Sequence, residues 1–217
     1  MRLGIYGTGG SGREVFDMIE MNPSLKKCWD EIIFIDDTKQ EGTFMQCRMM
    51  PLVSLCHNIK KDDIKVVIAV GEPTVRKKLY DRVAENGLGL ATIIHPLAQV
   101  SGSAKIGEGV VIQEHVTISS DAVLEDNVFI NGKTIIGHDV HIGMHCQISS
   151  FSIVAGYTQV GEETYIGVSS SIRDHIVVGH NVIVSMGAVV MKDVRDNKVV
   201  MGNPAREIAE NSGSVFK

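Results

Sequence analysis

The sequence predicts two architectures in one chain: an α/β domain over residues 1–94 and an all-β parallel solenoid over residues 95–206, followed by a tail at 207–217. Three observations predict this. Every sixth position from Val100 to Val190 is Val, Ile or Leu, with no insertion. The fifth place of each six is mostly small or β-branched, as at Ala104, Val110, Thr134, Cys146, Ser152 and Ala188. Ahead of the repeat, apolar runs alternate with amphipathic stretches, the pattern of a parallel sheet with helices packed on it.

A period of six excludes the usual readings. A helical face would recur at three and four, and a strand at two. Six-residue units instead give short strands joined at corners, three to a turn of a triangular prism. Residues eighteen apart then stack directly, at roughly 4.8 Å per coil. Each unit buries its aliphatic residue only by stacking on the next.

The first domain reads in order as follows. Residues 2–6 form a strand that runs into Gly7-Thr8-Gly9-Gly10-Ser11-Gly12 and then a helix over 13–21. That spacing, G-x-G-x-x-G between strand and helix, lets backbone N–H groups approach a phosphate. Residues 32–35 form the next strand, ending at Asp36-Asp37, where a carboxylate could hold a ribose hydroxyl. The competing reading is that the two aspartates open a turn. A short helix over 51–57, a strand over 64–70 ending at Gly71, a helix over 73–85 and a strand over 90–94 complete the domain. It has room for one mononucleotide half, which argues for gripping a nucleotide diphosphate and against redox use of NAD. His95-Pro96 marks the junction, since proline favours an extended residue before it. Residues 199–206 close the prism, and 207–217 read as a short helix or frayed tail.

Composition narrows the function. A net charge of -5 argues against nucleic acid or an anionic membrane as the main partner. The four cysteines, Cys28, Cys47, Cys56 and Cys146, show neither pairing nor metal-ligand spacing and read as reduced thiols. No leader or membrane-length apolar run is present, so the expected location is the cytoplasm.

Most of the eight histidines fall in the repeat, and any one of them reads first as a solvated corner residue. His138 stands apart. Asp139 follows it and could hold one imidazole nitrogen, leaving the other free as a base. Eighteen residues on is Gly156, which opens a slot for a thioester beside the ring and offers a backbone N–H to an oxyanion. His180 shares the local Val-Gly-His-Asn-Val setting without an adjacent carboxylate, and serves as an internal control.

The 7–12 turn, Asp36-Asp37, the 131–143 segment NGKTIIGHDVHIG and the closing Gly202-Asn203-Pro204-Ala205 together resemble one family. It is that of the bacterial hexapeptide-repeat sugar acetyltransferases, including bacillosamine and perosamine N-acetyltransferases and sialic acid O-acetyltransferases. The resemblance implies a Rossmann-like nucleotide-sugar-binding domain followed by a left-handed β-helix acyltransferase domain. It also implies a homotrimer with its sites between subunits, and acetyl-CoA as co-substrate with no metal. It carries the base to His138, the orienting carboxylate to Asp139, a site asparagine to Asn131 and the glycine amide to Gly156. Gly187 would lie near the pantetheine, while Gly7, Gly9, Gly10, Ser11, Gly12, Asp36, Asp37 and Gly71 would hold the nucleotide. Ser11, Gly137 and Gln147 depart from the family pattern, which has histidine, glutamate and histidine there.

The activity implied is N-acetylation of a nucleotide-linked 4-amino-4,6-dideoxy sugar for surface polysaccharide such as O-antigen. Three alternatives stand beside it: O-acetylation of the sialic acid type, a carbonic-anhydrase-type metal site on His138, His141 and His145, and a nucleotide-binding scaffold without turnover.

Overall fold

In the computed structural model, which describes residues 1–213 and Val215, the first domain is built on a six-stranded sheet. Its elements are β1 (Arg2–Tyr6), α1 (Gly10–Glu20), α2 (Pro23–Lys26), β2 (Glu31–Ile35), β3 (Gly42–Phe44), β4 (Cys47–Met50), α3 (Leu52–Asn58), β5 (Ile64–Ile68), α4 (Pro73–Glu85) and β6 (Gly89–Leu90). The sheet order is β3-β4-β2-β1-β5-β6, parallel except for the β3–β4 hairpin. That hairpin escapes the sequence reading, because its strands are short and its residues mostly exposed or half-buried. The strand expected over 90–94 is also two. Leu90 pairs with Val66 in this sheet, whereas Ile93–Ile94 pairs with Val111–Ile112 as the first rung of the prism.

From there the chain winds as a β-helix with three faces. The first face stacks Ile93–Ile94, Val111–Ile112, Phe129–Ile130, Gln147–Ile148, Tyr165–Ile166 and Ile183–Val184. The second runs from Gln99–Val100 through Ile135–Ile136 and Ile153–Val154 to Val189–Val190, and the third from Lys105–Ile106 through His141–Ile142 to Val177–Val178. All these pairings are parallel at a spacing of eighteen residues, as the repeat predicts. The inward aliphatics from Ile112 to Val190 are at most 5% exposed and form one continuous core.

Polar residues enter that core without cost because the fifth place faces a corner carbonyl. Thr134, Ser152, Thr158 and Thr164 each donate to the carbonyl oxygen fifteen residues on, at 2.8–3.0 Å. The buried Cys146 thiol does the same with Gly161, and burial pushes its pKa up to about 12.

Each corner needs one left-handed residue. His115, Asp121, Asn127, Lys133, Asp139, His145, Phe151, Tyr157, Glu163, Ser169, His175 and Asn181 all have φ between 51° and 64°. Such a φ is unusual for aromatic residues. A bond between coils offsets it, as when the Tyr157 N–H donates to His138 O at 3.0 Å and the Asp139 N–H to Ser120 O at 3.0 Å.

The two domains share a core, because outward residues of the first face, Ile93, Val111 and Phe129, pack with Val15, Met18 and Ile19 of α1. The first domain therefore straddles this face. On one side α1 lies over the first edge, between the first and second faces, where Glu14 meets Gln113 and Asn22 meets His95. On the other, α4 lies over the third edge, between the third and first faces. There the fully buried Arg76 donates to the carbonyls of Ile68, Val70 and Asn127 and to Asn127 Oδ1. Among the described residues no carboxylate pairs with it, and burial lowers its pKa to about 9.

The chain closes with an antiparallel hairpin of Lys198–Gly202 and Ala205–Glu210. The helix or frayed tail expected from 207 is thus a strand as far as Glu210. The Arg195–Glu207 ion pair ties it to the last coil, and Lys198–Glu210 joins the two strands of the hairpin. Ser214, Phe216 and Lys217 of the expected tail lie outside the described residues. Among the described residues, no helix is long and apolar enough to cross a membrane.

Candidate active site

His138 sits on the second edge of the prism, between the second and third faces. Its Nδ1 lies 2.9 Å from Asp139 Oδ2. An ionised carboxylate only accepts, so the neutral ring carries its hydrogen on Nδ1 and keeps a lone pair on Nε2. Asp139 is also the left-handed residue of this corner, at φ 57°.

The neighbouring coil completes the setting. A Cβ on Gly156 would fall 2.8 Å from both Cε1 and Nε2 of His138, so the imidazole occupies the space a side chain there would take. Gly137 is equally constrained, since its Cβ would lie 2.7 Å from the Gly156 nitrogen. The Gly156 N–H has no hydrogen-bond partner among the described residues, as is also true at equivalent corners such as Ser120 and Asp174; what sets it apart is the imidazole beside it. An unoccupied donor beside a free imidazole nitrogen is what acyl transfer requires. Tyr157 packs against the ring edge-to-face, with centroids 5.0 Å apart, and lies 4.6 Å from His175, which pairs with Asp174.

The carboxylate beside His138 does not single it out. His141 pairs with Glu125 at 3.0 Å, and His180, expected to lack such a partner, pairs with Asp196 of the following coil at 3.3 Å. Sequence adjacency misses these partners because they come from a neighbouring coil. Among the described residues, the His138 ring is the one histidine ring that a glycine's missing Cβ makes room for. His145 is not a solvated corner residue either: it is 3% exposed, takes a hydrogen bond between Nδ1 and Asn127 Nδ2, and packs on Tyr80. Burial, with Arg76 nearby, lowers its pKa to about 4. His138, His141 and His145 therefore do not converge as ligands, and among the described residues no group of His, Cys, Asp or Glu could hold a metal ion.

Asn131 lies on the first edge, one prism side from His138, and lines a cleft of about 540 Å³ between that edge and α1. Glu14, Asp17, Asn22, His95, Gln113, Glu114 and Lys133 also line it. Gly187 is on the same edge further along, at φ 68° and facing open space. Within one chain, then, Asn131 and Gly187 do not meet His138 and Gly156.

The glycine turn forms as expected. A Cβ on Gly12 would fall 2.0 Å from Gly7 O, and Gly7 has a φ of 121°; Gly9 and Gly10, at the start of α1, face open space. Ser11 stands half-buried in the first turn of α1, and Gly71 follows β5 on the way to α4. The two aspartates divide. Asp37 is held by the Tyr6 hydroxyl, the Leu52 N–H at 2.8 Å and Arg82 at 2.7 Å, and burial together with this bond raises the Tyr6 pKa. Asp36 accepts from Thr8 and from the N–H and hydroxyl of Thr38. Against the burial that would raise it, these bonds hold its carboxyl below the usual range. Asp36 thus both opens a turn and stands beside the glycine loop, whereas Asp37 is a structural anchor.

Tyr157, Glu14 and Gln113 were not expected at the site. The eighteen-residue stacking rule could have found Gln113, which lies one coil before Asn131.

Two family models match the chain. That of the PglD N-terminal domain matches residues 2–83, and that of the bacterial transferase hexapeptide (six repeats) matches 121–156. The acetyltransferase domain of PglB from Neisseria gonorrhoeae has 31% sequence identity to this chain, with 95% of this chain and 99% of that one covered and a TM-score of 0.86. The chain belongs to the bacterial hexapeptide-repeat sugar acetyltransferases. Other members extend the comparison. The PglB domain is also solved in complex with acetyl coenzyme A. PerB from Caulobacter crescentus, in complex with CoA and GDP-perosamine, is 28% identical over 96% of this chain and 98% of that one, with a TM-score of 0.83. The UDP-N-acetylbacillosamine N-acetyltransferase of Bacillus subtilis matches at 50% identity over 50 residues, 23% of each chain, so the match spans about a quarter of that relative.

Proposed function

We propose that this acetyltransferase moves the acetyl group of acetyl-CoA to the amine of a nucleotide-linked 4-amino-4,6-dideoxy sugar. The observation that carries the reading is the free Nε2 of His138 beside the unoccupied Gly156 N–H. In this mechanism the amine nitrogen attacks the acetyl carbonyl carbon and His138 Nε2 takes the proton it loses. The Gly156 N–H holds the oxyanion; the carbon–sulfur bond then breaks, and the thiolate leaves with the proton from His138. Both substrates are held at once, so no acyl-enzyme is needed.

The acceptor runs along α1 in this reading. Its diphosphate meets the N–H groups at the start of the helix near Gly9 and Gly10, and Asp36 serves the ribose. Its sugar reaches Glu14 and Asp17 one to two turns on, about 6 to 10 Å away. The carboxylates of Glu14, Asp17 and Glu114 in the cleft favour an amine, cationic when free, over the carboxylate-bearing sialic acid. The complexes of PglB with acetyl-CoA and of PerB with GDP-perosamine support the same pair of substrates.

The homotrimer that the resemblance implies would unite the two halves. His138 and Asn131 stand on opposite edges of the second face, whose outward Ile135 and Ile153 are 44% and 42% exposed. Packing that face against a second copy would cover both and bring one subunit's His138 toward the next subunit's cleft.

The test is a panel of nucleotide amino sugars and their hydroxyl counterparts incubated with acetyl-CoA, followed by thiol release and product mass. Acetylation of the amine alone is expected. Acetylation of the hydroxyl compounds alone would establish the O-acetyltransferase reading instead.

A further inference from the structure

Resting on the acceptor cleft just described, the inference concerns a line of side-chain amides that crosses from α1 into the first edge. Gln147 Nε2 donates to Asn131 Oδ1 at 2.5 Å, and Asn131 Nδ2 donates to Gln113 Oε1 at 3.0 Å. Gln113 Oε1 also accepts the Gly132 N–H at 2.9 Å, while Gln113 Nε2 donates to Glu14 Oε2 at 3.1 Å. Gln113 and Gln147 are 7% and 4% exposed.

The direction of this line is forced at Gln113. A backbone N–H can only donate and an ionised carboxylate can only accept, so Gly132 and Glu14 fix opposite ends of one amide. Gln113 then has only an oxygen to offer Asn131, which must turn its NH₂ toward it. Asn131 in turn has only its oxygen to offer Gln147. The far end bears the signature of that constraint: Gln147 Oε1 is buried with no hydrogen-bond partner. Turning the Gln147 amide over would set oxygen against oxygen at Asn131.

We infer that Gln113, oriented by Gly132 and Glu14, is a positioning residue that makes Asn131 a hydrogen-bond donor toward the acceptor cleft, selecting a substrate oxygen there. Gln113 lines the cleft and Gln147 does not, so the NH₂ end of Asn131 is the end on the cleft side. One of its two hydrogens goes to Gln113, and the other is available to a ligand. The group it fits is a sugar hydroxyl oxygen next to the reacting amine; an ammonium, having no lone pair, is refused at this point and left to the carboxylates.

The experiment measures affinity for a nucleotide amino sugar by calorimetry on the full chain, with thiol release followed in parallel. Gln113→Leu removes the acceptor that orients Asn131 and is expected to weaken binding about tenfold. The exchanged pair Gln113→Glu with Glu14→Gln keeps both the oxygen facing Asn131 and the total charge, and is expected to recover most of the affinity that Gln113→Leu loses. Asp17→Asn removes a cleft carboxylate outside the line and should weaken binding less than Gln113→Leu. A sugar lacking the neighbouring hydroxyl should bind the unaltered protein and Gln113→Leu equally. Equal affinity in all variants, or a loss in the exchanged pair as large as in Gln113→Leu with unchanged melting temperatures, would overturn the inference. Affinities that follow the expected order without any thiol release would uphold the amide line and count against the catalytic reading.

Discussion

A Cβ placed on Gly156 would fall 2.8 Å from Nε2 of His138, the nitrogen that Asp139 leaves free. The base and the glycine one coil on are therefore a single fitted unit. In Gly156→Ala the methyl must displace the imidazole, because the backbone on both sides is held in the coil ladder. Misplacing a catalytic group by about 1 Å costs on the order of 10²-fold in rate. Steady-state kinetics should show that loss in kcat, with the melting temperature nearly unchanged because the ring it displaces is on the surface.

Replacing the base itself is the second prediction. General-base catalysis contributes roughly 10²- to 10⁴-fold, and His138→Ala should lose that much of kcat/KM for the amino sugar. His180→Ala should be nearly silent. His180 has its own carboxylate in Asp196, so a carboxylate partner alone does not make a base, and comparing the two variants isolates what Gly156 adds. Equal losses in both would remove His138 from the mechanism.

Much of this was legible in the sequence because a solenoid repeats one local rule. The six-residue period yields the rungs, and adding eighteen to His138 yields Gly156. What stayed hidden depends on contacts the period does not encode. The partner of His180 lies sixteen residues away on the next coil, and Arg76 finds Asn127 across a domain boundary. Which of Asp36 and Asp37 is free for a ribose also stays hidden, because the fold alone brings Tyr6, Leu52 and Arg82 around Asp37. Asn131 and His138 are close in sequence, yet a prism side separates them, which turns a local motif into two halves of a site.

That separation supplies the third prediction. Asn131→Ala and His138→Ala should each be impaired alone, and more active when coexpressed. In a closed ring each site takes one edge from each of two neighbours, so random mixing restores roughly a quarter of the sites. No recovery in mixed oligomers verified by mass would place both residues in a site within one chain, or show that Asn131 is dispensable.

Arg76 joins the domains as a cation whose hydrogen bonds, among the described residues, go to carbonyls and the Asn127 amide oxygen, with the Phe129 ring 5.3 Å from its guanidinium. Arg76→Leu would leave those buried acceptors without donors, at about 1–3 kcal/mol for each one not recovered by water. Chemical denaturation should show a loss of at least about 2 kcal/mol. Lysine should not rescue it, because a point ammonium cannot bridge the carbonyls of β5 and the third edge as a planar fork does.

The last prediction concerns pH. His145 is buried beneath Tyr80 and beside Arg76, and its pKa is lowered from the ordinary 6.5 to about 4. The folded protein therefore binds a proton here more weakly than the unfolded chain does. For a group depressed in this way the stabilisation is fully present above the unfolded value, near 6.5. It declines as pH falls toward the folded value, near 4, and is gone below it. The difference corresponds to roughly 3 kcal/mol at neutral pH. Unfolding free energies measured between pH 7.5 and 3.5 should fall over that window. His145→Gln, which keeps an acceptor for Asn127 but cannot titrate, should remove most of that slope relative to the unaltered protein. If the two curves run parallel through the window, the acid sensitivity arises elsewhere and His145 is not the group that sets it.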